Sequence, residues 1–178
     1  MPIGKTGALR FATRIKYRGR PSATIDVELA VAEPPADLEL VPAIDIATFG
    51  LHGPERVAAL SVRYQLAQKF HAVSQRFETG ENKRIRDIVD ILLMRGIVGD
   101  ITDLHAACVS VFATRATHSW PPTITVYDSW PADHAKLCRQ IGFTTTDIHQ
   151  AVAEVHQFIA EIDRAGPTTS DRDHALRP

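Results

Sequence analysis

The stretch "LAQKFHAVSQRFETGENKRIRDIVDILLM", from Leu66 to Met94, decides the character of the C-terminal part of the chain. Apolar residues recur there at intervals of three and four, which predicts two amphipathic helices. The segment "ETGENK" between them breaks the helical pattern with a glycine and several charged residues. Lys69 lies beside the first apolar stripe, and Asp87 and Asp90 lie on the second helix. The stretch therefore predicts a helical core together with ionisable side chains that need an explanation.

The residues before this stretch have the period of β-strands. The segments "RFATRIKY" and "ATIDVEL" alternate apolar and polar residues, and "RGRPS" at residues 18–22 supplies a turn, so a β-hairpin is predicted. "LELVPAI" at residues 38–44 predicts a short additional strand. The fold class is therefore α/β in the broad sense, or α+β, with a small sheet followed by a C-terminal helical bundle.

The helical part begins after Ala59, with Ser61 as the predicted N-cap of the first helix. Further helices are predicted over residues 83–97, 102–115 and 132–140, and a last one runs from an N-cap at Thr146 to Arg164. We therefore predict a β unit at residues 1–60, a helical domain at residues 61–165 and a disordered tail at residues 166–178.

The composition excludes several classes of protein. A net charge of -1 argues against a uniformly basic nucleic-acid-binding protein, so any RNA-binding surface must be local. The two cysteines have no metal-ligand spacing and indicate a reduced, intracellular protein. The N-terminus has no signal-peptide core, and no apolar run approaches the ~20 residues of a membrane span. We expect a cytoplasmic protein without membrane contact.

Each ionisable candidate has two interpretations from pattern alone. Lys69 either covers the apolar stripe with its aliphatic stem while the amine reaches water, or it directs an ammonium into a cleft to meet phosphate. Asp87 either lies on a solvated helix face or, with apolar neighbours, has a specific partner. Asp26 and Glu28 share one face of a strand, which is either the solvent side of a sheet or a place to hold Mg²⁺.

Taken together, three stretches of the chain resemble the nucleotidyltransferases of the AbiEii family, which are abortive-infection proteins and toxins of type IV toxin–antitoxin systems. The stretches are "RFATRIKYRGRPSATIDVELA", "LSVRYQLAQKFHAVSQRF" and "NKRIRDIVDILLM". They match the family's hairpin ending near "hDV" (h, apolar), a helix of the type "LAxKhHA", a basic gap and "R/K-D-h-h-D-h". The resemblance covers most of residues 8–162 and implies a partial nucleotidyltransferase sheet, made of the hairpin plus short strands.

The resemblance implies a Mg²⁺- or Mn²⁺-dependent transfer of a nucleoside monophosphate from a nucleoside triphosphate (NTP) to RNA, with tRNA as the expected acceptor. Lys69 would contact the nucleotide phosphates, and Asp87 would orient Lys69 or assist proton transfer. Asp26 would be the strand carboxylate that holds metal. A basic rim for RNA phosphate would be formed by Arg76, Lys83 and Arg84.

One departure from the family pattern concerns the "GS…DxD" motif, because no Gly-Ser occurs at a suitable distance before Asp26. Three explanations stay open: a native start farther upstream, strands supplied by a second polypeptide or a dimer mate, or a remnant that binds without catalysing. The exposed hairpin edge predicts instability or association in each case, with association as a homo-oligomer or with a complementing chain. A cognate antitoxin is the expected partner.

Two alternatives to the enzyme stay open as well. One is a non-catalytic remnant of the family that binds an antitoxin or RNA. The other is a structural helical domain in which Lys69 and Asp87 form a buried ion pair.

Overall fold

The structure is a computed structural model, and it describes residues 2–3, 8–29 and 37–167. The chain divides into two compact units after residue 36. The described residues form two small antiparallel sheets and five α-helices, which confirms the predicted α+β fold class.

The first unit contains a three-stranded antiparallel sheet in the order β1-β2-β3. Its strands are β1 (Pro2–Ile3), β2 (Ala8–Tyr17) and β3 (Arg20–Leu29). The predicted hairpin is confirmed, but its turn is shorter than the segment "RGRPS". Only Arg18 and Gly19 form it, with φ angles of 49° and 77°. Positive φ at both central residues gives a turn whose twist matches that of the flanking strands, so pairing continues to the turn.

The two faces of this hairpin differ in chemistry. One face carries apolar side chains that are exposed, namely Leu9, Phe11, Ile15, Ile25 and Leu29. On the other face Arg10 pairs with Glu28 across the strands at 2.8 Å. Asp26 lies on this polar face, opposite Ala12, and is exposed.

The second unit begins with a two-stranded antiparallel sheet of β4 (Leu38–Pro42) and β5 (Arg56–Leu60). The first of these strands was predicted, whereas β5 was not. The run "RVAAL" is too short to show a period, and it directly precedes a helix N-cap, so its sequence does not separate strand from helix. A 3₁₀ turn at Ala47–Phe49 lies between the two strands.

Five α-helices follow in the described part of the second unit. They are α1 (Val62–Ser74), α2 (Ile85–Arg95), α3 (Ile101–Arg115), α4 (Trp130–Ile141) and α5 (Ile148–Ala165). Ser61 caps α1 as predicted, since its side chain accepts from the backbone N–H of Tyr64. The predicted cap of the last helix is wrong by one residue, because Asp147 accepts from the N–H of His149 and Thr146 lies outside the helix.

The core of this unit lies between α1 and the helices around it. Leu66, Phe70 and Val73 of α1 are buried, and the Phe70 ring packs against the ring of Phe158 on α5 at a centroid distance of 5.8 Å. Helix α1 packs on α2 and α3, and α5 packs on α2, α3 and α4. Burial of this apolar face, rather than helix propensity, holds α1 and α2 side by side.

The division into domains at residue 60 stays a prediction. The predicted disordered tail lies, from residue 168 onward, outside the described residues. None of the described helices combines the length and apolar character that a membrane span requires.

Candidate active site

Helices α1 and α2 bring Lys69, Asp87 and Asp90 into one group. The Lys69 Nζ donates to Asp87 Oδ1 at 3.0 Å and to Asp90 Oδ2 at 2.6 Å. The two aspartates are three residues apart on one helix, so their side chains lie on the same face and reach the same ammonium. The sequence alone left open whether Lys69 reaches water or meets a partner, and the structure shows two partners.

The group is largely withdrawn from solvent. The exposed side-chain fractions are 25% for Lys69, 10% for Asp87 and 34% for Asp90. Burial by itself lowers the pKa of the Lys69 ammonium, but the hydrogen bonds to Asp90 and Asp87 outweigh it and leave that pKa raised. Lys69 is therefore a permanent cation at neutral pH.

A cleft of about 540 Å³ opens beside this group. Its wall combines β5, α1, the start of α2 with the residue before it, and the end of α3. The lining residues are Leu60, Gln65, Gln68, Lys69, Ala72, Arg84, Asp87 and Arg115. Three of these side chains are cationic and one is a carboxylate. An excess of cations over a concave surface favours an anionic ligand.

Asn82 builds the side of the cleft that carries Arg84. Its buried amide nitrogen donates to the carbonyls of Ala72 at 2.9 Å, Val73 at 3.2 Å and Gln75 at 2.8 Å, where α1 ends. Its amide oxygen accepts from the backbone N–H of Arg84 at 2.8 Å. One side chain therefore satisfies the carbonyls at the end of α1 and fixes the start of α2, which determines where Asp87 lies.

A comparison with protein families matches this chain, over residues 2–176, to a model described as Nucleotidyl transferase AbiEii toxin, Type IV TA system. The chain belongs to the AbiEii family. In the comparison with curated proteins, nothing matches it. The resemblance inferred from the motifs is confirmed, and the chain is a member of a family of nucleotidyl transferase toxins of type IV toxin–antitoxin systems.

The three basic residues that the AbiEii resemblance grouped as one RNA-binding rim have different surroundings in the structure. Arg84 lines the cleft with Lys69. Arg76 lines a different cavity, beside Ser74 and His118. Lys83 is 75% exposed and pairs with Glu81 at 3.2 Å. Their binding of RNA stays a prediction.

Asp26, the predicted metal ligand of the AbiEii site, belongs to the first unit and lies on β3. Its role stays a prediction. Within residues 2–3, 8–29 and 37–167, no three His, Cys, Asp or Glu side chains are grouped so as to hold a metal ion.

The sequence did not single out three residues that line the cleft beside Lys69, namely Gln65, Gln68 and Arg115. Helical spacing offered a signal for the first, because Gln65 lies four residues before Lys69 on one helix face. Its amide nitrogen donates to the carbonyl of Leu60 at 2.6 Å, which ties the helix to the end of β5. No spacing in the sequence indicated Arg115, since it is the last residue of α3 and lies far from Lys69 along the chain.

Proposed function

We propose that this chain transfers a nucleoside monophosphate from an NTP to an RNA acceptor, with tRNA as the acceptor, and that the Lys69 cleft binds the triphosphate. The observation that carries the proposal is the Lys69 ammonium, held by Asp87 and Asp90 on the wall of a cation-rich cleft. Family membership supports the reaction class.

The chemistry of the cleft suits a triphosphate. An ammonium has three N–H donors, and the two carboxylates engage two of them, which leaves a donor for a phosphate oxygen. Arg84 and Arg115 line the same cleft and bring guanidinium groups, whose planar donors match phosphate geometry. A volume of about 540 Å³ is within the usual range of small-molecule sites.

The two aspartates act here as positioning residues. Phosphoryl and nucleotidyl transfer depend on the placement of charge around the phosphates more than on covalent help from side chains. Asp87 and Asp90 hold the ammonium from two directions, so Lys69 does not need to reorganise when charge develops. Because Asp87 already bonds the ammonium, its orienting role is better supported than proton transfer.

A Mg²⁺ or Mn²⁺ ion belongs to this proposal through the family and the substrate. Mg²⁺ binds proteins through one or two carboxylates and takes its other ligands from phosphates and water. An exposed Asp26, on a face where Glu28 is already paired with Arg10, fits such a minimal contribution. When bound, the ion would supply positive charge, and its binding to Asp26 is proposed for the first unit by itself. Calorimetric titration with Mn²⁺ of the wild type and of Asp26→Asn tests whether Asp26 binds the metal, without an activity assay.

The expected partners follow from the family. A type IV toxin is paired with a cognate antitoxin, and we infer that this chain has one and acts on RNA in the cytoplasm. The apolar face of the hairpin is exposed, which supports association with an antitoxin, a second copy or a complementing chain.

The test is a transfer assay with labelled NTPs, Mg²⁺ and total tRNA. We expect label on RNA with the wild type and a loss of at least about a hundredfold with Lys69→Met, since the cleft loses its central cation. Lys136→Met is the matched control, because Lys136 is exposed on α4 and outside the cleft. Absence of transfer by the wild type, with every NTP and with added Mn²⁺, overturns the proposal.

The alternative is a protein that binds RNA or an antitoxin without catalysing. The ion pairs of Lys69 with both aspartates are equally compatible with it, because a purely structural ion pair has the same geometry. RNA binding that persists in Lys69→Met, without any transfer by the wild type, would establish this alternative.

A further inference from the structure

A second cavity, of about 410 Å³, lies at the C-terminal end of α1. We propose that it binds a phosphodiester group of single-stranded RNA and holds the acceptor strand beside the Lys69 cleft. The residues that matter for this inference are Ser74, Arg76, Thr117, His118, Ser119 and Thr123. That the bound strand is the acceptor rests on the proposed function, whereas the binding itself does not.

The lining of the second cavity is suited to an anion. It brings the guanidinium of Arg76 and the hydroxyls of Ser119 and Thr123, all on exposed residues, to one concavity. No carboxylate is present among the described residues that line it. Arginine combined with hydroxyl donors is the usual protein surround of a phosphate group, whose oxygens accept but do not donate.

His118 is held in one orientation on the wall of this cavity. The Ser74 hydroxyl donates to the carbonyl of Phe70 at 2.6 Å, so its oxygen accepts from His118 Nε2 at 2.7 Å. His118 Nδ1 then accepts from the Thr117 hydroxyl at 3.0 Å. The pKa of His118 is lowered by burial, which agrees with this neutral ring. The wall is therefore fixed before a ligand arrives, which lowers the entropic cost of binding.

The same hydrogen bonds continue to the Lys69 cleft. The Thr117 oxygen lies 2.8 Å from His71 Nε2, and His71 Nδ1 lies 3.4 Å from an Arg115 nitrogen. Arg115 lines the first cleft and Thr117 lines the second cavity. On α1, Ala72 lines the Lys69 cleft and Ser74 lines the second cavity. The two concavities are thus joined by one chain of hydrogen bonds, which runs from His118 through Thr117 and His71 to Arg115.

The experiment measures binding of a fluorescein-labelled single-stranded RNA by anisotropy. Thr123→Glu places a negative charge in the cavity on an exposed residue, and we expect it to weaken binding about tenfold through like-charge repulsion. Thr146→Glu makes the same chemical change at an exposed threonine outside the cavity and is expected to bind as the wild type does. Equal affinities of the two variants overturn the proposal.

Salt dependence gives a second measurement that does not depend on the choice of glutamate. Arg76→Gln should weaken binding and reduce the slope of log affinity against log salt by about 0.7, the value for one phosphate contact on a single strand. An unchanged slope overturns the proposal.

A competition experiment distinguishes an RNA-backbone site from a site for free phosphate. If the site binds the RNA backbone, unlabelled RNA displaces the labelled RNA at concentrations where inorganic phosphate has no effect. Release by phosphate alone at equal concentration overturns the assignment to RNA.

The two proposals fail in different ways. Loss of transfer in Lys69→Met together with unchanged RNA affinity in Thr123→Glu retains the proposed function and removes the second site. Weakened RNA binding in Thr123→Glu, with no transfer by the wild type, retains the second site and removes the proposed function.

Discussion

The ammonium of Lys69 lies closer to Asp90 than to Asp87, at 2.6 Å against 3.0 Å. The nearer carboxylate is the more exposed of the two, with 34% of its side chain accessible against 10%. The lysine is therefore bound by one carboxylate that water screens and by one that the protein encloses. These two contacts have different energetic weight, because an exposed ion pair contributes little and an enclosed carboxylate without its partner is costly.

Neutralising the two aspartates should therefore have unequal effects on stability. We expect Asp87→Asn to lower the free energy of unfolding by about 1–3 kcal/mol, since its enclosed site is built around the ammonium. Asp90→Asn should cost less than ~1 kcal/mol, because water replaces part of the lost contact. Urea denaturation of both variants measures the difference, and a larger loss in Asp90→Asn would contradict it.

The raised pKa of Lys69 predicts a loss of stability at alkaline pH. Hydrogen bonds to Asp90 and Asp87 more than offset burial, so the folded pKa exceeds the ordinary value of 10.5. The charged form is favoured by folding, so its contribution is fully present below pH 10.5 and is lost as pH rises through the folded pKa.

The measurement for this pH effect is a difference curve. The free energy of unfolding of the wild type minus that of Lys69→Met should be constant from pH 7 to about 10 and should fall above it. If this difference in the free energy of unfolding instead rises at alkaline pH, the pKa of Lys69 is not raised by folding and the prediction is refuted.

Asn82 should be needed for stability although no ligand contact is proposed for it. Its amide nitrogen serves three carbonyls at the end of α1, so Asn82→Ala leaves them without that donor and should cost about 2 kcal/mol or more. Asn82→Asp should be no better, since a carboxylate would face those carbonyls and the negative end of a helix dipole.

Gln140→Ala is a suitable control for Asn82, because Gln140 is exposed near the end of α4 and its loss should change stability by less than ~0.5 kcal/mol. Thermal or chemical denaturation compares the variants. Equal stability of Asn82→Ala and Gln140→Ala would show that the three hydrogen bonds contribute little.

A glycine after α5 provides a steric test of the packing. A Cβ atom added at Gly166 would lie 2.4 Å from the ring of His105, which is itself buried. The backbone φ of -70° suits any residue, so the clash alone should make Gly166→Ala destabilising by about 1–3 kcal/mol. Gly99→Ala meets nothing within 4 Å and should be neutral or slightly stabilising. Denaturation midpoints compare the stabilities of the two variants. A Gly166→Ala variant as stable as Gly99→Ala would contradict the close contact between Gly166 and the His105 ring.

Much of the secondary structure was predictable because it depends on local chemistry. The hairpin alternates with period 2, and Ser61 caps α1 where a hydroxyl precedes the apolar period. β5 was not predictable, because five residues beside a helix show no distinguishing period. The cap of α5 was misplaced because Thr146 and Asp147 are both good capping residues and only geometry selects one.

The candidate site was predictable in part. The motif placed Lys69 and Asp87 together, and the structure joins them through a hydrogen bond. Asp90 was visible as a second aspartate but had no assigned role, and Arg115 had no local signal. The basic rim stays a prediction, and the structure adds only that Arg84 lines the Lys69 cleft whereas Arg76 lines the second cavity.

The sequence by itself determined the helices and strands that local periods encode, and the motifs by which the family is recognised. Only the tertiary structure decided which charges meet: that Lys69 is shared by two carboxylates, that Arg115 joins its cleft, and that Arg76 faces a second cavity. The physical reason is the separation along the chain of the residues that interact. Helical and strand patterns arise between residues a few positions apart, whereas these contacts join residues separated along the chain and exist only after the apolar faces of α1, α2 and α3 have packed.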